Sequence, residues 1–184
     1  PVPVVNRPGA IKGVSRDGVC AALAGAPGVI MPTNVRIARA ALDDIGAGRR
    51  DVATWLPNGQ FPIIVRPAGS HAGTGLQKID SAADVAAYLS TQPEAEFCIA
   101  PFVDYRSADG QFRKYRVSLI DGRPYLAHLA ISSHWMIHYL NAGMAESAEK
   151  RAEEAHVMAT LDEDFAKRHR VAFEAIGERV GLDY

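Results

Sequence analysis

The chain has 184 residues, 48% hydrophobic and 22% charged, which suits one substantial core or two small lobes and excludes disorder over most of its length. Its 20 lysines and arginines nearly balance 21 aspartates and glutamates, and a net charge of −1 excludes a global field drawing it to nucleic acid or an anionic membrane, so any anion site is local. Cys20 and Cys98 form no paired-ligand spacing, the apolar stretches are too short or broken to span a bilayer, and residues 1–20 lack a signal layout, so a reducing cytoplasm is expected.

Residues 3–6 suit a short strand, 16–23 a helix before a turn at 25–28, and 29–31 a buried strand. Thr33 or Asn34 stands where it would cap a helix whose Val35, Ile37, Ala38, Ala41, Leu42 and Ile45 follow helical spacing up to Gly46 and Gly48. An apolar strand then ends in a cation, Arg66, and is followed by a loop containing Ser70, His71, Gly73, Thr74 and Gly75 and by a second strand to Ile79. Glycines let backbone N–H groups turn toward an anion, and Arg66 supplies charge against phosphate repulsion. No Gly-Lys-Ser/Thr follows, and a strand rather than a helix comes next, so neither a Walker loop nor a dinucleotide fingerprint fits. An ordinary glycine-rich hairpin fits as well when the loop is taken alone.

Ser81 and Asp84 suggest a capping box opening a helix through Leu89, with Val85, Tyr88 and Leu89 on one side. A strand over 97–103 follows, and strands over 112–120 and 124–131 flank Asp121-Gly122, a two-residue hairpin signal. Helices are expected over 144–161 and 163–180, closed by Gly181. The result is an α+β fold of antiparallel sheets with flanking helices and a glycine-rich loop.

Alternation along the first hairpin strand puts Phe112, Lys114, Arg116, Ser118 and Ile120 on one face and Arg113, Tyr115, Val117 and Leu119 on the other. Two cations on a partly apolar face call for carboxylate partners or a bound polyanion. Residues 128–139 gather His128, His134, His138, Trp135 and Tyr139, and a cleft role suits them better than a metal, since no Glu follows His134. Asp104 suits either a ribose contact or a loop, and Glu149, Glu153 and Glu154 read as an outer helix face with Lys150 and Arg151.

In this order the segments resemble the nucleotide-binding part of the ATP-grasp superfamily, of the glutathione-synthetase and ribosomal-protein-glutamate-ligase type, over residues 6–184. The resemblance implies the end of a preceding subdomain and a linker helix in 1–57, a small lobe with the glycine loop in 58–100, and a second lobe in 101–184. It places Arg66 at the family's phosphate-binding lysine, Ser70, His71, Gly73 and Gly75 in the loop over the phosphates, and Phe102, Val103 and Asp104 at the adenine and ribose. Arg116 falls on an arginine of the family's Asp-x-Arg strand, while Lys114 replaces the acid and His128 an arginine of the next strand, and these three are the candidate catalytic residues.

The implied reaction makes an acyl phosphate from a small-molecule or peptide carboxylate with ATP and magnesium, and an amine or thiol attacks it. No metal ligand is assigned, because residues 181–184 resemble the lead-in to the family's magnesium-binding strands. The sequence, which begins at Pro1 and stops at Tyr184, therefore reads as a weakly active or inactive piece of a longer polypeptide with further domains. The alternative is a non-catalytic nucleotide- or ligand-binding domain with a degenerate ATP-grasp fold. A third reading is an unrelated α+β protein whose loop is only a hairpin.

Overall fold

The computed structural model describes Asn6, Ile11 and residues 13–182, so most of the strand expected over 3–6 lies outside the described residues, as do Asp183 and Tyr184. Two compact units make up the chain: Met31–Val103, and Pro1–Ile30 with Asp104–Tyr184. Helix α1 (Arg16–Leu23) belongs to the second, and Ser15 caps it by accepting the Gly18 N–H at 3.2 Å.

The Met31–Val103 unit is a four-stranded antiparallel sheet in the order β1-β4-β2-β3, with β1 Val35–Ala38, β2 Ile63–Pro67, β3 Gln77–Ile79 and β4 Glu96–Pro101. Helices α2 (Arg39–Gly46) and α3 (Ala83–Thr91) complete it. Along β2 burial alternates, with Ile63 and Val65 fully buried. They join Ile79, Phe97 and Ile99 in a core with Leu42 and Ile45 of α2 and Val85 and Tyr88 of α3. Each such fully buried aliphatic or aromatic side chain contributes about 1.5–3 kcal/mol.

Two expectations over residues 29–46 are corrected. The helix expected from residue 33 or 34 starts only at Arg39, because Val35 and Ile37 pair with Ile99 and Phe97. Ladder hydrogen bonds and burial of Ile37 outweigh local helical spacing, which a β-branched Val-Arg-Ile run favours only weakly. The strand expected over 29–31 does not form, and Ile30 is 85% exposed.

In the other unit β5 (Phe112–Ile120) and β6 (Arg123–Ser132) form the expected hairpin, turning through Asp121 and Gly122 at φ of 51° and 71°. Pairing shifts between Arg116 and Val117: Arg116 faces His128 and Val117 faces Leu126, so Ala127 is an extra residue on β6. Helices α4 (Ala148–Ala159), α5 (Phe165–Arg168) and α6 (Arg170–Val180) follow, and Gly181 ends α6 in the left-handed region. The single helix expected over 163–180 is broken at His169. Phe165 stacks on Tyr115 at 4.4 Å and lies 6.1 Å from Phe173, so rings on both sides of the break share one cluster.

The reading of Glu154 is corrected too, since it lies inside rather than on an outer helix face and is 8% exposed. Its Oε1 accepts the Leu129 N–H at 3.0 Å, and the Met144 sulfur accepts that of Ile131 at 3.4 Å. Together they satisfy donors along the outer edge of β6. Glu153, one residue earlier, instead chelates Arg113 from the side at 2.5 and 2.9 Å.

Arg113 also holds Asp109, at 2.8 and 3.1 Å, and with the Gln111 amide it lowers that carboxyl from 3.8 to about 2. A carboxyl depressed on folding contributes stability that is complete above its unfolded value and is lost as pH falls through its folded one. The acid limb of the stability curve between pH 4 and 2 is therefore expected to flatten in Asp109→Asn, as read from urea midpoints at each pH. An unchanged limb would assign acid sensitivity to other groups.

Candidate functional site

The glycine loop joins β2 to β3 and folds back on the strand that leads into it. Arg66 Nη2 donates to the Ser70 carbonyl and, at 3.0 Å, to Ser70 Oγ, which Nε also reaches at 3.2 Å; that hydroxyl donates to the Pro67 carbonyl at 2.9 Å. The loop continues through turns in which the Thr74 N–H meets the His71 carbonyl and the Leu76 N–H that of Gly73. Ala72 and Gly73 have φ of 51° and 79°, and the amides of His71, Ala72 and Gly73 have no hydrogen-bond partner among the described residues. Consecutive amides that make no bond within the described fold are donors open to another acceptor.

Gly75 closes the loop. It sits at φ +66°, and a Cβ there would lie 2.6 Å from Pro67 Cδ and 2.7 Å from Gln92 Oε1. From α3, Tyr88 donates its hydroxyl to the Gly75 carbonyl at 2.9 Å, and burial pushes that phenol well above its ordinary pKa.

Strand register decides what shares a face with Arg66. Arg66 pairs with Cys98 and Cys98 with Arg36, while Ile64 pairs with Lys78 and Ala100, so these six lie on the sheet face opposite the helices. Lys78 Nζ stands 5.0 Å over the Phe102 ring and also pairs with Asp80. The Phe102 N–H donates to the Pro62 carbonyl at 3.1 Å. Val103, at the end of this unit, is 42% exposed.

The other candidates belong to the second unit. Asp104 is gripped by Arg106, whose Nε lies 3.0 Å from both carboxylate oxygens. Lys114 Nζ donates to the Ile137 carbonyl at 3.0 Å and tethers the segment after β6, and the Tyr105 hydroxyl does the same at Trp135, at 2.7 Å. Lys114 and Arg116 are exposed, and Arg116 faces His128 across the strand pair. His134 and His138 diverge into local roles, His134 stacking on Trp135 and His138 capping the turn Tyr139–Asn141. Among the described residues no three His, Cys, Asp or Glu side chains converge on a metal position.

Lys78 and Glu154 are the site-shaping residues that sequence reasoning missed. Lys78 could have been found from the alternation of Gln77, Lys78 and Ile79 once β3 was paired with β2. Glu154 carries no such signal, because polar residues surround it.

No family model matches the chain, and no curated protein matches it. Among solved structures it is similar to VanG D-Ala:D-Ser ligase from Enterococcus faecalis, at 14% identity and a TM-score of 0.48 over 91% of this chain and 45% of that one. It is also similar to the ATP-grasp ligase PsnB, solved with precursor peptide PsnA2 and AMPPNP, at 18% identity and 0.48 over 96% and 44%. D-alanine-D-alanine ligase from Helicobacter pylori follows at 16% and 0.39 over 80% and 43%. The chain spans less than half the length of each of these three proteins.

Proposed function

We propose that the chain is the nucleotide-binding part of an ATP-dependent carboxylate–amine (or thiol) ligase that works through an acyl phosphate. The reading is carried by the loop after β2, where unpartnered amides at 71–73 lie beyond an arginine that anchors the loop at Ser70. Arg66 and Lys78 add two cations to the helix-free face of the same sheet. Ser70, His71, Gly73 and Gly75 would then hold phosphate oxygens by backbone and hydroxyl donors. With the Phe102 N–H engaged at Pro62, the adenine edge would meet the chain at Val103, and Asp104 would turn to the ribose by exchanging Arg106 for it.

ATP supplies the phosphoryl group when bound, with magnesium. Lys114, Arg116 and His128 would offset charge on the transferred group, which is an electrostatic and positioning role. The acceptors would be small-molecule or peptide amines, and the compartment the cytoplasm, where Cys20 and Cys98 would stay reduced. Residues 1–57, 58–100 and 101–184 would serve as linker, small lobe and second lobe. A binding domain without turnover is the second reading, favoured by Lys114, a cation already bonded to the Ile137 carbonyl where the family carries an acid.

Calorimetric titration of ATP with and without magnesium tests the proposal. Arg66→Ala and Arg116→Ala are each expected to weaken binding about 10- to 100-fold, the worth of a charge-assisted hydrogen bond or two. Unchanged affinity in both variants, or no binding by the parent chain, would overturn it.

A further inference from the structure

The β-bulge on β6 and the buried carboxylate behind it act on the same histidine. A two-residue turn followed by unbroken pairing would set His128 opposite Tyr115, on the side of the hairpin that meets Phe165. Ala127, the extra residue, moves His128 by one position, opposite Arg116 and onto the face of Lys114. There its ring meets that of Tyr139 edge-on, with centroids 5.0 Å apart at 60°. The Tyr139 hydroxyl in turn donates to Glu154 Oε2 at 2.9 Å, while Oε1 holds the Leu129 N–H next to His128 in the chain. Both ends of the histidine's setting, its backbone and its ring neighbour, thus rest on one buried carboxylate.

We propose that Tyr139 and Glu154 are positioning residues that hold His128 as the third proton-bearing cation of the Lys114–Arg116 face, so that this face takes a polyphosphate more tightly when the imidazole is protonated. The inference deepens the function proposed above, because it concerns the anion that the same face would stabilise. The charged and titratable groups about this arrangement include Lys114 and Arg116 on β5, Tyr139 in the turn, and both Glu154 and Arg151 on α4. Hydrogen bonding to Glu154 raises the Tyr139 phenol, which keeps it a donor throughout the working range.

The probe is inorganic tripolyphosphate without metal, titrated calorimetrically into the chain across pH 5–8, where imidazoles change charge. Measured against His128→Gln, whose profile carries only the probe's own phosphate titration, the parent chain is expected to lose about 5- to 10-fold in affinity across that range. Tyr139→Leu and Glu154→Gln should lose most of the pH dependence, and Tyr139→Phe, which keeps the ring, should retain part of it. Circular dichroism selects variants that stay folded, and Tyr139→Phe keeps the test open should Glu154→Gln unfold. A parental slope in Tyr139→Leu and Glu154→Gln would overturn the positioning role, and so would a parental slope in His128→Gln or no tripolyphosphate binding at any pH. ATP in the same assay separates the two proposals: a His128-dependent slope with tripolyphosphate but no ATP binding would sink the nucleotide reading and leave this one standing.

Discussion

Replacing Glu154 with alanine is expected to lower the free energy of unfolding by about 1–3 kcal/mol, because the buried Leu129 N–H loses its acceptor. Leu129 is fully buried, and its N–H points away from β5, to the edge where α4 takes the place of a third strand. The Tyr139 hydroxyl loses the same acceptor but is only part-buried, so water can take its place. Each buried unsatisfied group costs about 1–3 kcal/mol, and a two-stranded sheet has little reserve of its own. Urea denaturation measures the effect as a fall in midpoint at constant slope. Glu154→Gln, which keeps one acceptor oxygen, should lose less than alanine does. A loss under about 1 kcal/mol in Glu154→Ala would mean that water reaches the Leu129 amide and that α4 does not seal this edge.

Gly75→Ala is expected to destabilise the chain by about 2–4 kcal/mol, from about 1 kcal/mol for a left-handed backbone at a residue with a Cβ and about 1–3 kcal/mol for overpacking. The new methyl would press on the Pro67 ring at 2.6 Å and on Gln92 Oε1 at 2.7 Å, and only the second can move aside. Gly69, in the same loop, is the internal control, since a Cβ there meets nothing within 4 Å. Gly69→Ala should therefore be close to neutral by the same urea measurement. Equal losses in the two variants would show that the loop resents any side chain and that the contact with Pro67 is not the cause.

These two positions differ in how legible they were. Gly75 announced itself as one of a cluster of glycines after a strand-ending cation, and the structure adds only its reason, a left-handed backbone pressed against Pro67. Glu154 sits in a run of charged residues that looks like a solvated helix face. Its inward stripe is Lys150, Glu154 and Val157, and Lys150 itself turns back to the Ala142 carbonyl at 2.6 Å, so hydrophobic spacing gives no warning that this side packs. The helix expected from residue 33 or 34 failed for the opposite reason: its apolar spacing was real, but Val35 and Ile37 satisfy it as β1 neighbours of Ile99 and Phe97.

What the sequence determined by itself is local. The Asp121-Gly122 turn, the Ser15 cap of α1, the Gly181 stop and the glycine loop behind Arg66 each depend on residues a few positions apart, whose backbone preferences act before any partner arrives. Tertiary structure decided the rest. It made a strand of Val35–Ala38, buried Glu154 against the edge of β6, and placed His128 beside Arg116 through one extra residue in the pairing. In all three the deciding free energy comes from ladder hydrogen bonds and burial supplied by segments distant in the chain, and that free energy exceeds the few tenths of a kcal/mol per residue that local propensity can set against it.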